Sequence, residues 1–503
     1  MSHGFHLKTA LPAVVAALLA GCSLAPDYHR PAAPVPGQYP DADAVNNTGE
    51  RSASAVAPQV QYSSDLGWSE FFRDPQLRAL IRLALDNNRD MRVAVGRVQE
   101  ARAQYGIVQS DQFPTIGAGA NTQHTRNPEN LRAGGPDSPG ITHYYQAGLG
   151  MTAFELDFFG RLRNLSEAAN QQYLATAQAR RTVHINLVAQ VAEAYFRLRT
   201  AQQLDGLMQS TLKAREQTFN LVQARYDEGL ASALDLNQAR GQLETVRADL
   251  AGIQRTQSQA RNALQLLLGT PIPDGLPEAA VFGRDQILSA IPVGLPSDLL
   301  QRRPDIMGAE NALRGSNANI GAARAAFFPR ISITGLLGFA SPQLGGLFGS
   351  GQEYWQFAPQ VQIPIFQGGV SGNLALAEAR KNIAVAQYEQ TIQVAFREVA
   401  DALAGEATYS GQLDALRALE ASAAESLRLA NLRYETGLDS FLQVQSAQVD
   451  LYNTQRTFLQ TGMDSLLNRV ELYKALGGGW LQDSAAGEGS DPMRGLTPVQ
   501  EKG

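Results

Sequence analysis

Cys22 is the one residue whose neighbours prescribe a reaction. It is the only cysteine of the 503-residue chain, preceded by Lys8, an apolar run from Ala10 to Ala20 and the small residues Ala20 and Gly21. A positive charge, a short apolar core and small residues before the cut are the parts of a secretory signal. A thiol placed at the cut is what acylation needs, so residues 1–21 read as a lipoprotein signal peptide with covalent lipid on Cys22. An ordinary secretory peptide with a chance cysteine is the alternative. No other chemistry finds its residues. After the signal the histidines are His29, His124, His143 and His184, widely spaced, and a lone cysteine supports neither a disulfide framework nor a Cys/His metal cluster. There is no H-E-x-x-H, no G-x-S-x-G and no P-loop. The expectation is therefore no enzyme, no metal site and no cofactor beyond the lipid. A formal charge of −6 without a Lys/Arg run excludes a nucleic-acid partner.

What the chain does carry is a repeated turn. RYDEGLASALDLNQAR at 225–240 returns as RYETGLDSFLQVQSAQ at 433–448, with Arg, Tyr, Gly, Leu, Ser, Leu and Ala in register at an offset of 208. From Gly160 to Tyr226 there is no proline and only one internal glycine, Gly206. A helix of that length extends on the order of 100 Å. Leu187, Val191, Ala194 and Leu198 mark a coiled-coil seam along it, and Leu243, Val246, Leu250 and Ile253 mark one on the helix after the turn. The second half has the same plan: a helix from Ser297 to Phe327, Phe328-Pro329 matching Phe113-Pro114, two alternating segments, a second proline-free run to Tyr434, and a last helix to Ala475.

The alternating segments are four: FPTIGAGANTQHT, THYYQAGLGMTAFELDF, RISITGLLGFA and YWQFAPQVQIPIF. In the second, Tyr145, Ala147, Leu149, Met151 and Ala153 share one face and Gln146, Gly148, Gly150 and Thr152 the other. In the fourth, Trp355, Phe357, Val361, Ile363 and Ile365 oppose Gln356, Gln360 and Gln362, although Pro359 and Pro364 weaken that strand. The domain plan is a signal peptide at 1–21, an extended N-terminal arm at 22–73, a first repeat at 74–272, a linker at 273–296, a second repeat at 297–476 and a C-terminal tail at 477–503. Whether the Pro-rich arm is a tether or packs on the body stays open.

Strands with one greasy face suit a transmembrane barrel wall, which needs about 9–11 tilted residues per crossing. Four strands cannot close, and an open edge in lipid leaves backbone groups unpaired. The wall must be shared between copies: eight strands from two copies would be filled by side chains, whereas twelve from three begin to leave a lumen. Two soluble hairpins beneath the helices are the alternative. The helices are too long for one compact core and would span a wide aqueous gap, with the doubled turn at its far end. A structural coiled-coil stalk without a pore accounts for the helices alone.

The segments APDYHRP, WSEFFRDPQLRALIRLAL, LPSDLLQRRPDIMGAENALRGSNANIGAARAAFFP, PIFQGG, QVAFREVADALA and GLDSFLQVQSAQ resemble the outer-membrane factors of tripartite efflux systems, in the OprM-like lipoprotein branch of TolC-like proteins. The resemblance covers nearly all of the chain after the signal. It implies a membrane α+β fold in which a homotrimer builds a twelve-stranded outer-membrane β-barrel, four strands per chain, continuous with a periplasmic α-helical barrel. It also implies an equatorial domain formed by the arm, the linker and the tail. The implied function is passive conduction of drugs or other small molecules. The implied partners are a periplasmic adaptor (membrane fusion) protein, an inner-membrane resistance-nodulation-division pump and outer-membrane lipid. Ser23 after the acylated cysteine resembles the outer-membrane retention pattern. In the family's tip pattern a leucine after Tyr-x-x-Gly is followed four residues later by aspartate. Leu442 matches, with Leu234 its counterpart in the first repeat, but the second position falls on Ser446. Asp439 and Asp235 are carboxylates at the turns that could supply the charge instead, either lumenal or solvated at helix ends. Tyr226 and Tyr434 either bond between neighbouring helices or pack in a core.

Overall fold

The computed structural model describes residues 23–40, 62–132, 134, 135, 137–288 and 291–484. Cys22 and the signal peptide lie outside the described residues, as does the tail beyond Ser484. In chain order the helices and strands are α1 (Trp68–Phe71), α2 (Pro75–Asn87), α3 (Arg89–Ser110), β1 (Ile116–Arg126), β2 (Ile141–Leu156), α4 (Arg161–Asp227), α5 (Ala233–Leu268), α6 (Pro296–Arg302), α7 (Pro304–Ala325), β3 (Arg330–Ser341), β4 (Glu353–Gln362), α8 (Val370–Glu435) and α9 (Phe441–Ala475). They fall into two compact units. One holds Val98–Thr176, Gly308–Tyr388 and the arm up to Pro31; the other holds Ala32–Arg97, Ala177–Met307 and the chain from Glu389.

In the first unit the four strands form one antiparallel sheet in sequence order, so β1 and β4 are its free edges. The register aligns apolar residues across strands: Ala118 faces Leu149, Leu149 faces Leu337, and Leu337 faces Trp355. Leu149, Leu337, Trp355, Phe357 and Val361 are exposed, so one chain leaves this greasy face uncovered. Gln146, Gln356 and Gln360 belong to the opposite face, as pleating requires. Gly119, Gly148 and Gly338 lie in one row across β1, β2 and β3. A Cβ on Gly148 would run into the backbone of Leu337 and Gly338, and one on Gly338 into Ala147 and Gly148, whereas Gly119 has open space. The arm packs here. Arg30 grips Glu310 of α7 with two hydrogen bonds of 3.1 and 2.9 Å, Tyr28 donates to the same carboxylate, and Asn317 donates to the carbonyl of Pro26. Burial works against the Glu310 charge, but the bonds from Arg30 and Arg314 outweigh it and hold the carboxyl below its ordinary range.

Four expectations need correction. Ala153 does not continue the apolar face of β2: it has φ 48° at a bulge between Met151 and Phe154, where its N–H donates to Thr334. Ile363 and Ile365 lie outside β4, which stops at Gln362 because Pro364 cannot donate to a ladder. Pro359 does not interrupt β4; it is accommodated because β4 is an edge. The helix expected over 297–327 is two helices, broken at Arg303 because Pro304 cannot continue the preceding hydrogen-bonding pattern and opens α7 instead.

The second unit has the larger core. Leu187, Val191, Ala194 and Leu198 of the α4 seam are buried, with Tyr195 and Phe196, against Trp68, Phe71, Phe72, Leu77, Leu80 and Ile81. Three distant segments close around it. Trp68 and Ser69 donate to the carbonyls of Leu481 and Gln482, Arg73 donates to Gln286, and Leu288 donates to Phe71. Tyr473 stacks on Phe71 at 3.9 Å and its hydroxyl donates to the carbonyl of Leu66. Asp74 caps α2 through the N–H groups of Gln76 and Leu77 while its other oxygen accepts from Tyr195 and Gln286. His184 of α4 is packed edge-on against Trp480 at 4.9 Å, and its Nε2 has no hydrogen-bond partner among the described residues.

Two outcomes follow. Gly338→Val is expected to abolish the protease-resistant hairpins, while Gly119→Val leaves them intact; equal digestion of both would exclude the close backbone approach. Burial, helped by the charge of Arg180, pushes the His184 imidazole down to about 4. The unfolded chain therefore takes the proton first, so the contribution is intact above the ordinary value near 6.5 and lost as pH falls toward 4. A loss of about 2 kcal/mol is expected between pH 7 and 5, and denaturant titrations of His184→Phe should lack that part of the acid slope.

Candidate functional site

The two repeated turns lie together in the second unit. Each follows a helix whose last turn is closed by a left-handed glycine, Gly229 at φ 74° and Gly437 at φ 75°. The next two N–H groups fold back on the carbonyl of the equivalent arginine: Leu230 and Ala231 on Arg225, and Leu438 and Asp439 on Arg433.

Beyond the glycines the two turns are fastened differently. In the first, Ser232 caps α5 by accepting from the N–H of Asp235 at 3.1 Å, and Asp235 accepts from the N–H of Ser232 at 3.1 Å. In the second, Arg433 grips Asp439 through Nε at 2.5 Å and a second nitrogen at 3.3 Å, and that hydrogen bond holds the Asp439 carboxyl below its ordinary range. Arg225, the counterpart of Arg433, faces Ala231 where Arg433 has an aspartate, and its guanidinium lies 4.8 Å from the ring centre of Tyr434 in the other hairpin.

These contacts sit on a small apolar cluster. Val222, Leu236 and Ala239 of the first hairpin are buried with Phe441 and Val444 of the second, and Tyr434 is half-buried against them, 5.6 Å from Phe441. Burial pushes the Tyr434 hydroxyl up, with Asp235 adding to the effect and Arg225 opposing it. Tyr226 is 40% exposed and takes no part in the cluster. Leu234 and Leu442 stay outside it, 66% and 55% exposed, and Leu230 and Leu438 are exposed as well. The turns therefore present four uncovered leucines. Ser446 is exposed, one helical turn beyond Leu442 on the same helix, and lines a groove of about 570 Å³ with Ser422, Ser426, Gln443 and Asp450.

Of the expected residues, the structure brings Tyr434 and Asp235 near one another and leaves Asp439 bound to Arg433. Cys22 lies outside the described residues. Sequence reading misses Arg215, a buried guanidinium in α4 that donates to Gln448 of α9. Desolvation pushes its ionisation down. Its only sequence signal is an arginine within an Ala-rich helix. Among the described residues no group of three or more His, Cys, Asp or Glu could hold a metal ion, and no described helix is long and apolar enough to cross a membrane. An arrangement of this kind can line and obstruct a path.

Comparison with known proteins agrees with this geometry. The model of the outer membrane efflux protein family matches residues 80–270 and 295–478. The toluene efflux pump outer membrane protein TtgC of Pseudomonas putida is 45% identical over 473 residues, covering 94% of this chain and 96% of that protein. The outer membrane protein OprJ of Pseudomonas aeruginosa is 43% identical over 468 residues, covering 93% and 95%. The open-state structure of the Neisseria gonorrhoeae MtrE outer membrane channel superposes with a TM-score of 0.81 at 37% identity, covering 92% of this chain and all of that one. With its four-stranded sheet, its two long helical hairpins and a family match over most of its length, the chain belongs to the outer membrane efflux protein family.

Proposed function

We propose that three copies of this chain assemble into a closed conduit through the outer membrane, anchored by acyl chains on Cys22 and fed by a periplasmic adaptor protein and an inner-membrane resistance-nodulation-division pump. One observation carries the reading: the sheet has two unpaired edges and an exposed apolar face. In hydrocarbon each unpaired backbone group costs several kcal/mol, and pairing β4 of one copy with β1 of the next removes both edges. Twelve strands then enclose a lumen wide enough to conduct. The cargo is small molecules, apolar solvents and drugs among them, a class supported by the toluene named for the Pseudomonas putida relative. The pump selects the cargo and drives it; the conduit performs no chemical step.

The far end is closed, in this reading, by the turns. Leu234 and Leu442, with Leu230 and Leu438 beside them, have no cover within one chain, and meeting their counterparts on the axis would form a hydrophobic constriction that resists wetting. Ser446 then stands one helical turn further along, without the carboxylate that would make an acidic ring.

An unheated detergent extract is expected to run on a denaturing gel as a heat-labile band near three chain masses; monomer in every mild detergent would overturn the assembly. In a planar bilayer Leu442→Ser should raise the conductance of the closed protein severalfold, and an unchanged conductance would remove Leu442 from the constriction. Ser446→Asp should increase preference for cations, and an unchanged reversal potential would place that residue outside the path.

A further inference from the structure

The β1–β2 hairpin carries chemistry that neither the wall nor the turns use. Its register sets His124 directly opposite His143, 19 residues away in sequence. The two Nδ1 atoms lie 2.5 Å apart and the rings meet edge to face with centroids 4.7 Å apart. Two ring nitrogens facing each other in this way can share one proton or both turn a lone pair toward one metal ion. Thr122 Oγ1 stands 3.3 Å from Nε2 of His124, and the ring of Tyr145 is 5.6 Å away. Thr122 pairs with Tyr145 one step along the same face, so all four side chains share one side of the hairpin. Both imidazoles are exposed; they share the face of Leu149 and Leu337 but lie six residues nearer the loop than Leu149, at the rim of the apolar band, which gives an ion a way in.

We propose that His124 and His143 chelate one divalent transition-metal ion, of the copper, nickel or zinc class, at the loop end of this hairpin. Neutral imidazole suits these ions, with copper bound most tightly. Two imidazole nitrogens on one ion sit about 3 Å apart, given metal–nitrogen bonds near 2 Å. Exposed side chains reach that separation from 2.5 Å by small rotations. Water completes the coordination, since no third histidine, cysteine or carboxylate joins the pair among the described residues. Arg126 follows on the same face, opposite Ile141; its charge opposes a bound cation, and solvent screens it. The ion ties the hairpin's two strands together beside its loop. Only the location of the site, at the exterior mouth, rests on the conduit reading above.

The test uses the full-length protein in detergent, stripped with a chelator and titrated calorimetrically with Cu²⁺ and Zn²⁺. One ion per chain is expected, with two nitrogen couplings in the Cu²⁺ paramagnetic resonance spectrum. His124→Gln and His143→Gln should each weaken binding at least about tenfold, the range seen when even an outer partner of a metal ligand is lost, and the double variant at least as much. His29→Gln should bind as the native protein does. All variants are compared after showing the same heat-labile band. Affinity unchanged in both single variants, or no binding by the native protein, overturns the chelate. A bilayer without conductance but with metal binding intact counts against the conduit, not the chelate. Labelling of His124→Cys in intact cells by a membrane-impermeant maleimide supports the exterior location, and its failure overturns that location.

Discussion

A sheet edge cannot be left open in hydrocarbon, and the rest of this molecule is arranged around that constraint. β1 and β4 are 11 and 10 residues long, and about half of the N–H and C=O groups on an edge strand point away from its only neighbour. At several kcal/mol for each group without water or a partner, two bare edges would cost tens of kcal/mol. A typical domain has about 5–15 kcal/mol of stability in all. No packing within one chain can offset that difference. The order β1-β2-β3-β4, with the first and last strands outermost, leaves the same two edges on every copy and so suits head-to-tail ring closure.

The row of close-approaching glycines belongs to the same problem. A wall that closes must curve, and curvature brings backbone to backbone where side chains would keep strands apart. Gly148 and Gly338 are the positions where a Cβ would strike the neighbouring strand's main chain, and the bulge at Ala153 re-aims β2 on the side nearer α4. These devices bend a sheet whose faces are otherwise set by simple alternation.

Alternation and proline placement make most of this legible from residues alone. The strands are recognisable by their period of two, the long helices by their lack of proline, and the turns by Tyr-x-x-Gly appearing twice. What escapes depends on contacts between distant segments. The break between α2 and α3 has no proline or glycine to announce it. There Asn88, buried, donates to the carbonyl of Leu267 and accepts from the N–H of Met91, a tertiary contact that outweighs local helix propensity. The positive φ of Ala153 leaves no mark in composition. The Arg433–Asp439 pair, six apart, is a neighbour pair only because the glycine turn folds one onto the other. His124 and His143 look unrelated in the sequence because register, not spacing, brings them together.

Duplication explains why the informative residues are the ones that differ between the halves. Whatever both repeats share, the left-handed glycines and the long helices, serves the wall they build together. Differences are free to act locally. Arg433 is committed to its own turn, while Arg225, lacking an aspartate partner at position 231, reaches across to Tyr434 and links the hairpins. The same logic holds in the sheet. At the offset of 215 between the Phe-Pro pairs, His124 corresponds to Phe339, whose register partner is Glu353. One hairpin thus ends in two imidazoles and the other in an aromatic ring beside a carboxylate. A wall requires only that both rungs pair; nothing in wall-building calls for two facing nitrogens on one of them, and that surplus is what distinguishes the first hairpin chemically from the second.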